Sequence, residues 1–277
     1  MLKLKYGFFK TSLKDMAQQM QDGEIRLVAS ALAFSTLLSL VPFMAVTLSI
    51  FKNIGGLEYL YPKVETFLLG YIEQGAGAKA ILFVHKILEK ISTNAFGTTG
   101  AIVLFFSSFK LIQDMERGIN RVWNVQEIRP FIRRVAISLF LFILCPISLA
   151  VYVGFRSADF LNPLLKKGVH SFTDFIMLLG ALFLAYKILP SLKVKTKPAL
   201  ISALLAAIAL VALKKSFTWI AASVFAHSKI YGSLAALPLL CIWILGVWYV
   251  ILAGVAFCAS NQKRKWMVEN YGPEYAE

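Results

Sequence analysis

A charged stripe is the feature of this sequence most suited to binding chemistry. Its four members recur at i, i+4, i+7 and i+11: Lys110, Asp114, Arg117 and Arg121. This spacing places all four side chains on one face of a helix. Lys110 and Asp114 are predicted to pair within the helix, which leaves the guanidinium groups of Arg117 and Arg121 free. Such groups donate two parallel hydrogen bonds to a phosphate or a carboxylate.

Two further arginines, Arg133 and Arg134, follow the stripe after one loop. With Lys110, Arg117 and Arg121 they are candidates for binding the headgroup of an anionic lipid, and Asp114 supports them as an internal counter-ion. The alternative, which stays open at this point, is a solvated helix end whose basic residues only set the membrane orientation.

The residue types needed for catalysis are scattered. His85, His170 and His227 lack partners at metal-ligand spacing, and no phosphate-binding glycine loop or nucleophile motif is present. Asp114 and Glu116 are the closest acidic pair of interest, but residues at i and i+2 do not face each other on a helix. We therefore predict that the protein is not an enzyme and uses no cofactor or metal. No carboxylate is expected deep within a membrane span, which disfavours a proton-coupled pump.

The composition is that of a helical membrane protein, with 58% hydrophobic and 16% charged residues among 277. Four charge-free runs can each cross a hydrocarbon core, which needs about 20 apolar residues. These runs are Leu27–Phe51, Ile91–Phe109, Val135–Phe155 and Ile230–Gln262. They exclude a soluble globular enzyme, a disordered chain and a transmembrane barrel, whose strands alternate over about 10 residues.

The sequence predicts one all-α membrane domain over residues 1–277, with six transmembrane helices. The spans lie at about 28–51, 92–109, 135–155, 172–189, 198–219 and 232–260. Residues 1–26 form an amphipathic lead suited to the membrane interface. Residues 52–90 repeat apolar positions at helical spacing around a glycine-containing break, which predicts an amphipathic helical hairpin.

The basic residues set the predicted orientation. There are 29 Lys and Arg against 15 Asp and Glu, and 18 of the 29 lie in the lead, in the loops after the second and fourth spans, and in the tail. The positive-inside rule places these segments and both termini in the cytoplasm, with the 52–90 hairpin opposite. Because this rule accounts for the basic excess, no nucleic-acid partner is predicted.

Several segments, in this order and spacing, resemble the YihY/BrkB family of bacterial inner-membrane proteins. They are ASALAFSTLLSLVPF (Ala29–Phe43), GINRVW (Gly118–Trp123), ILP (Ile188–Pro190) and YGSLAALPLLCIW (Tyr231–Trp243). The resemblance covers most of the chain. It implies a six-span protein of the inner membrane with both termini inside and a role in envelope integrity.

The resemblance also implies details of the last span. Tyr231, Gly232, Ser233 and Pro238 belong to its opening motif, for which we predict a helix-packing role. Many relatives are expected to carry an acidic residue just after the glycine that aligns with Gly254, where this chain has Val255, Ala256 and Phe257. Some relatives have carried a ribonuclease label, which the residues of this chain do not support.

The resulting hypothesis is an inner-membrane protein that binds an anionic lipid or amphiphile, with movement of that lipid across the bilayer as its extension. The partners predicted are anionic membrane lipids, and the oligomeric state is left open. One alternative is a scaffold that recruits envelope-assembly proteins through the 52–90 hairpin or the basic loops. A membrane-bound hydrolase is the third and least favoured hypothesis.

Overall fold

A computed structural model describes residues 2–21, 23–53, 98–125, 129–157, 163–227 and 236–271. Within these ranges the chain forms seven helices and no strand, so the predicted all-α fold is confirmed. The helices are α1 (Leu2–Gln21), α2 (Gly23–Asn53), α3 (Thr98–Val122), α4 (Phe131–Ser157), α5 (Pro163–Ile188), α6 (Thr196–His227) and α7 (Ala236–Tyr271). Apart from residues 52 and 53, the predicted 52–90 hairpin lies outside the described residues.

Helices α2 to α7 run through the six predicted spans, of which residues 92–97 and 232–235 fall outside the described ranges. By length and apolar composition, two described segments are able to cross a membrane: Thr196–Ile220 in α6 and Pro238–Arg264 in α7. That all six helices cross stays a prediction.

Helix α5 is longer than predicted, because it begins at Pro163 rather than near residue 172. The prediction concerned only the part of the helix that crosses the membrane and already included Asp174, whereas the helix extends further, back to Pro163. Asp174 therefore lies about 16 Å inside α5 at a rise of 1.5 Å per residue, and its Oδ1 accepts a hydrogen bond of 2.5 Å from the Tyr152 hydroxyl of α4. Asp174 and Tyr152 both lie within four residues of an end of their predicted spans, so the absence of a carboxylate deep within a span stays a prediction.

Helix α7 is the central element of the described bundle and contacts α1, α2, α3, α5 and α6. Its positions Val255, Ala256 and Phe257, where the resemblance suggests an acidic residue, are buried in apolar packing. The face of α6 that packs against the core is made of small side chains, which let helices approach closely. They are Ala199, Ala203, Ala206 and Ala207.

The outer faces of several helices expose large apolar side chains. On α2 and α4 these include Leu27, Phe34, Leu38, Ile132, Phe140, Ile143, Ile147 and Val151. On α6 they include Leu200, Ile201, Leu204, Ile208, Trp219 and Ile220. An apolar exterior of this extent is unusual for a soluble protein, and it matches a hydrocarbon environment.

Close contact between α2 and α3 requires a glycine in the GINRVW segment. A Cβ atom on Gly118 would lie 2.8 Å from Leu32 Cδ1 and 3.1 Å from Val28 Cγ1, which are side chains of α2. Helix α3 then ends in a turn whose Asn124 has a φ of 53°, a left-handed conformation that asparagine tolerates. This turn redirects the chain toward α4.

The amphipathic lead forms α1, and it packs against α7 and α2. Ser12 is fully buried, and Met16 and Met20 contact the core, while Leu13 and Lys14 are exposed. The predicted helix is present, and its location in the membrane interface stays a prediction.

Candidate functional site

Most of the predicted cytoplasmic segments meet at one end of the bundle, which we call the basic end. Its described residues are 12–21, 23–26, 117–125, 129–134, 188–197 and 260–264. Arg121 Nη2 of α3 lies 3.6 Å from Glu24 Oε1 of α2. Gln262 Nε2 of α7 donates a hydrogen bond to the Lys193 carbonyl at 3.1 Å. These contacts put the segments on the same side of the molecule, and which side of the membrane this is stays a prediction.

The charged stripe of α3 faces α2 at its middle position. The Asp114 carboxylate accepts a short hydrogen bond from the Ser35 hydroxyl of α2. It also accepts one of 2.6 Å from Arg117 Nη2. The predicted pair of Lys110 with Asp114 is therefore wrong, because Arg117 at i+3 and Ser35 from another helix bind the carboxylate instead. Lys110 is exposed.

Arg117 and Arg121 were expected to have unpaired guanidinium groups, and this is also wrong. Arg117 pairs with Asp114 and Arg121 with Glu24, yet the two arginine side chains are 60% and 61% exposed. The Arg121–Glu24 pair, in which both side chains are more than half exposed, contributes about 0–1 kcal/mol, so an incoming anion can compete for the Arg121 guanidinium group. The Asp114 side chain is only 20% exposed, and an incoming anion would use the N–H groups of Arg117 that do not bind Asp114.

A second group of charges, the buried arginine cluster, consists of Glu116, Arg129 and Arg134. The side chain of Glu116 is 4% exposed and that of Arg129 is 8% exposed. Arg129 Nη1 lies 3.6 Å from Glu116 Oε1, and Arg134 Nε lies 3.4 Å from Glu116 Oε2. Arg129 Nη2 also donates to the Ile188 carbonyl at 2.9 Å and to the Pro190 carbonyl.

Two guanidinium groups share one carboxylate in this cluster. Burial lowers the pKa of Arg129 below its ordinary value, the Glu116 charge opposes this shift, and the nearby charge of Arg133 adds to it. Carbonyl groups at a helix C-terminus carry partial negative charge. Arg129 is thus stabilised by Glu116 and by the end of α5, so the cluster joins α3, α4 and the turn between α5 and α6.

The GINRVW and ILP segments come together beside this cluster. Asn120 Nδ2 donates to Ser191 Oγ at 2.7 Å, and the Ser191 backbone N–H donates to Asn120 Oδ1 at 2.7 Å. Ser191 Oγ lies 3.5 Å from Glu116 Oε1. The side chain of Asn120 therefore fixes the α5–α6 turn, in which Ile188 and Pro190 supply the carbonyls for Arg129.

The structure separates the predicted site residues into groups. Lys110, Arg117, Arg121 and Arg133 are exposed, whereas Arg134 belongs to the buried arginine cluster. Pro238 is exposed in the first turn of α7. Tyr231, Gly232 and Ser233 lie outside the described residues.

A hydrogen-bonded junction ties α1 to α7 at the basic end. Asp15 accepts hydrogen bonds from Ser260 Oγ at 2.7 Å and from Arg264 Nε and Nη2 at 2.9 Å. Burial alone raises the pKa of the Asp15 carboxyl, but these hydrogen bonds and the charges of Arg264 and Lys263 outweigh burial. The pKa of Asp15 is therefore lowered from its ordinary value of 3.8.

This lowered pKa predicts acid-sensitive docking of α1. A carboxyl group with a lowered folded-state pKa stabilises the protein above its unfolded-state pKa, and the stabilisation is lost as pH falls through the folded-state value. Asp15→Asn should lower the free energy of unfolding at about pH 7 by about 1–2 kcal/mol, allowing for partial exposure. Thermal unfolding of both proteins in detergent tests this. The difference should shrink at about pH 3, and a constant difference would contradict the assignment.

The chemistry available at the basic end is the binding of anions. Among the described residues, no three His, Cys, Asp or Glu side chains group to hold a metal ion. The exposed guanidinium and ammonium groups match phosphate and carboxylate oxygens.

Comparison with known proteins agrees with the membrane character of the fold. Residues 16–275 match the protein family described as Virulence factor BrkB. The chain belongs to the BrkB family. No solved structure matches it.

BrkB relatives are named as membrane proteins. A UPF0761 membrane protein of Chlorobium phaeobacteroides is 30% identical over 253 residues, which are 87% of this chain and 56% of that protein. One from Legionella pneumophila strain Corby is 26% identical over 95% of this chain and 66% of its own length. One from Haemophilus influenzae is 26% identical over 88% of this chain and 92% of its own length.

The chain thus spans 56% and 66% of the Chlorobium and Legionella relatives. It is an integral membrane protein of the BrkB family, in agreement with the resemblance of its sequence segments.

Proposed function

We propose that this BrkB protein binds the anionic headgroup of a membrane lipid at the basic end of its bundle and along the charged stripe of α3 that adjoins it. The observation that carries the proposal is the set of exposed cations on α3 and α4, next to exposed apolar side chains. The cations are Lys110, Arg117, Arg121 and Arg133. Arg134 is left out of the proposed site because it pairs with Glu116.

The surroundings of these cations suit an amphiphile. Leu27 on α2 and Ile132 on α4 are exposed apolar side chains, and each stands beside an exposed arginine, Arg26 or Arg133. Acyl chains can contact the apolar side chains while the headgroup contacts the guanidinium groups. A soluble anion would use only the second of these contacts.

The ion pairs with Asp114 and Glu24 orient Arg117 and Arg121 without using all of their N–H donors. A guanidinium group has five N–H donors, and the 2.6 Å contact with Asp114 uses Nη2 of Arg117. The remaining N–H groups are available for phosphate oxygens. Asp114 thus positions the Arg117 fork, and Glu24 does the same for Arg121.

Removing the guanidinium groups of Arg117 and Arg121 should weaken lipid binding. In Arg117→Ala combined with Arg121→Ala, the affinity for phosphatidylglycerol should fall about tenfold or more, because charge-assisted hydrogen bonds contribute about 1.5–3 kcal/mol each. Native mass spectrometry of the protein extracted with its lipids measures this. The matched control is Lys193→Ala combined with Lys197→Ala, which removes two exposed cations at the same end and should retain lipid as the wild type does.

Equal lipid retention in the double arginine variant and the wild type would refute the assigned residues. Retention of lipids in bulk proportions by the wild type would refute the proposal and favour the scaffold alternative. The proposal places this surface in the cytoplasmic leaflet of the inner membrane, includes no enzymatic step, and takes movement of the lipid as its extension.

A further inference from the structure

The depth of the charged stripe can be read from the helices that surround it. In the apolar segment Pro238–Arg264 of α7, Trp248 lies about 15 Å from Pro238 and about 24 Å from Arg264, at a rise of 1.5 Å per residue. Its Nε1 donates to Thr36 Oγ1 of α2 at 2.9 Å. Thr36 itself lies about 14 Å beyond Leu27, where the charge-free run of α2 begins. Both helices place this hydrogen bond near the middle of a hydrocarbon core about 30 Å thick.

The stripe reaches the same depth. Ser35, the neighbour of Thr36, donates to the Asp114 carboxylate, and Arg117 binds that carboxylate from the same helix. Lys110 lies one further turn from the basic end, about 16 Å along α3 from Arg121. Three charged side chains are thus set beside the apolar run of α2, rather than where α3 leaves the membrane.

Charges at this depth are costly in lipid unless polar groups reach them. Arg117 is 60% exposed and Lys110 is also exposed, so protein packing does not enclose them. Exposed apolar side chains lie alongside: Phe34 and Leu38 on α2, and Phe106 one turn before Lys110 on α3. We call this strip between α2 and α3, from Arg121 to Lys110, the polar seam.

We propose that the polar seam carries a phospholipid headgroup from the basic end to the middle of the bilayer, and so allows the lipid to change leaflets. The phosphate contacts Arg121, then Arg117 and Lys110, while the acyl chains stay in the surrounding lipid against the exposed apolar side chains. Lys110, Asp114 and Arg117 together carry one net positive charge, which matches one phosphodiester. This inference rests on the proposed function and deepens it by assigning a path to the bound lipid. The movement is passive and requires no energy source.

The test uses vesicles of phosphatidylglycerol and phosphatidylcholine containing a trace of acyl-labelled fluorescent phosphatidylglycerol. Dithionite bleaches only the label in the outer leaflet, so vesicles without protein lose about half of their fluorescence. Vesicles with the wild-type protein should lose nearly all of it. Ser35→Leu, which fills the seam beside Asp114, should slow this loss about tenfold or more. The matched control Ser30→Leu, at an exposed position of α2, should behave as the wild type does.

A second variant, Lys110→Gln, provides a test that does not depend on the folding of Ser35→Leu. It removes an exposed charge at the inner end of the seam and should also slow translocation about tenfold. Wild-type bleaching no greater than in empty vesicles, or unchanged rates in both seam variants, would overturn the inference. Binding is measured separately by native mass spectrometry. If the wild type binds phosphatidylglycerol and does not translocate it, the path fails while the proposed function stands. If the wild type does not bind it, both fail.

Discussion

Glu116→Gln should destabilise the protein by about 3–5 kcal/mol, because it removes one partner of a buried ion pair and leaves the other charges uncompensated. The Glu116 carboxylate lies between two arginines: Arg129 Nη1 is 3.6 Å from one of its oxygens, and Arg134 Nε is 3.4 Å from the other. Unfolding in sodium dodecyl sulfate, followed by tryptophan fluorescence, measures the loss. The effect should spread to the α5–α6 turn, because Arg129 binds the carbonyls of Ile188 and Pro190.

Glu24→Gln is the matched control for this variant. It makes the same chemical change in an exposed pair, Glu24 with Arg121 at 3.6 Å, and should change stability by less than about 1 kcal/mol. Adding Arg134→Met to Glu116→Gln should recover part of the stability, because it removes one of the two uncompensated charges. Similar losses for Glu116→Gln and Glu24→Gln would contradict the role of the buried arginine cluster.

Gly254→Ala should also be strongly destabilising, by about 1–3 kcal/mol, because it overpacks a close contact of α7 with α5 and α6. A Cβ atom there would collide with the Tyr186 hydroxyl and would lie 2.9 Å from Tyr186 Cζ and 3.0 Å from Ala206 Cβ. Tyr186 is almost fully buried, and its hydroxyl donates to the Ile251 carbonyl at 2.9 Å. The ring therefore has little room to move aside.

Tyr186→Phe tests this explanation within a double-mutant cycle. Alone, it should cost about 1 kcal/mol through the lost hydrogen bond. Combined with Gly254→Ala, it should cost less than the sum of the two single changes, because the atom that collides is absent. Gly180→Ala in α5 is the control, since a Cβ atom there meets nothing within 4 Å and improves helix propensity. Additive losses at positions 186 and 254 would argue against the collision.

The sequence predicted the helices of this protein better than the contacts between them. Hydropathy identified the helical segments, and helical periodicity placed Lys110, Asp114, Arg117 and Arg121 on one face. It did not predict that Asp114 would bind Ser35, because the two residues are 79 positions apart and belong to different helices. The order of helices around α7 decides such contacts, and it is not encoded in local spacing.

The buried arginine cluster was missed for a related reason. The argument that Asp114 and Glu116 point in different directions is correct within α3, but it does not say what each residue meets. Glu116 faces Arg129 and Arg134 from a following loop and helix. The segments GINRVW and ILP were the available signal, because Asn120 and the Ile188 and Pro190 carbonyls belong to them.

The most direct test of lipid binding at the stripe measures the contact between arginine nitrogen and lipid phosphorus. Solid-state NMR on protein labelled with ¹⁵N-arginine, in bilayers containing phosphatidylglycerol, detects such pairs when they are within about 4–5 Å, the separation expected for a guanidinium hydrogen-bonded to phosphate. We predict ¹⁵N–³¹P dephasing of guanidinium signals that is retained in Lys193→Ala with Lys197→Ala and is lost in Arg117→Ala with Arg121→Ala. Dephasing of equal size in both double variants, or its absence in the wild type, would contradict headgroup binding at this site.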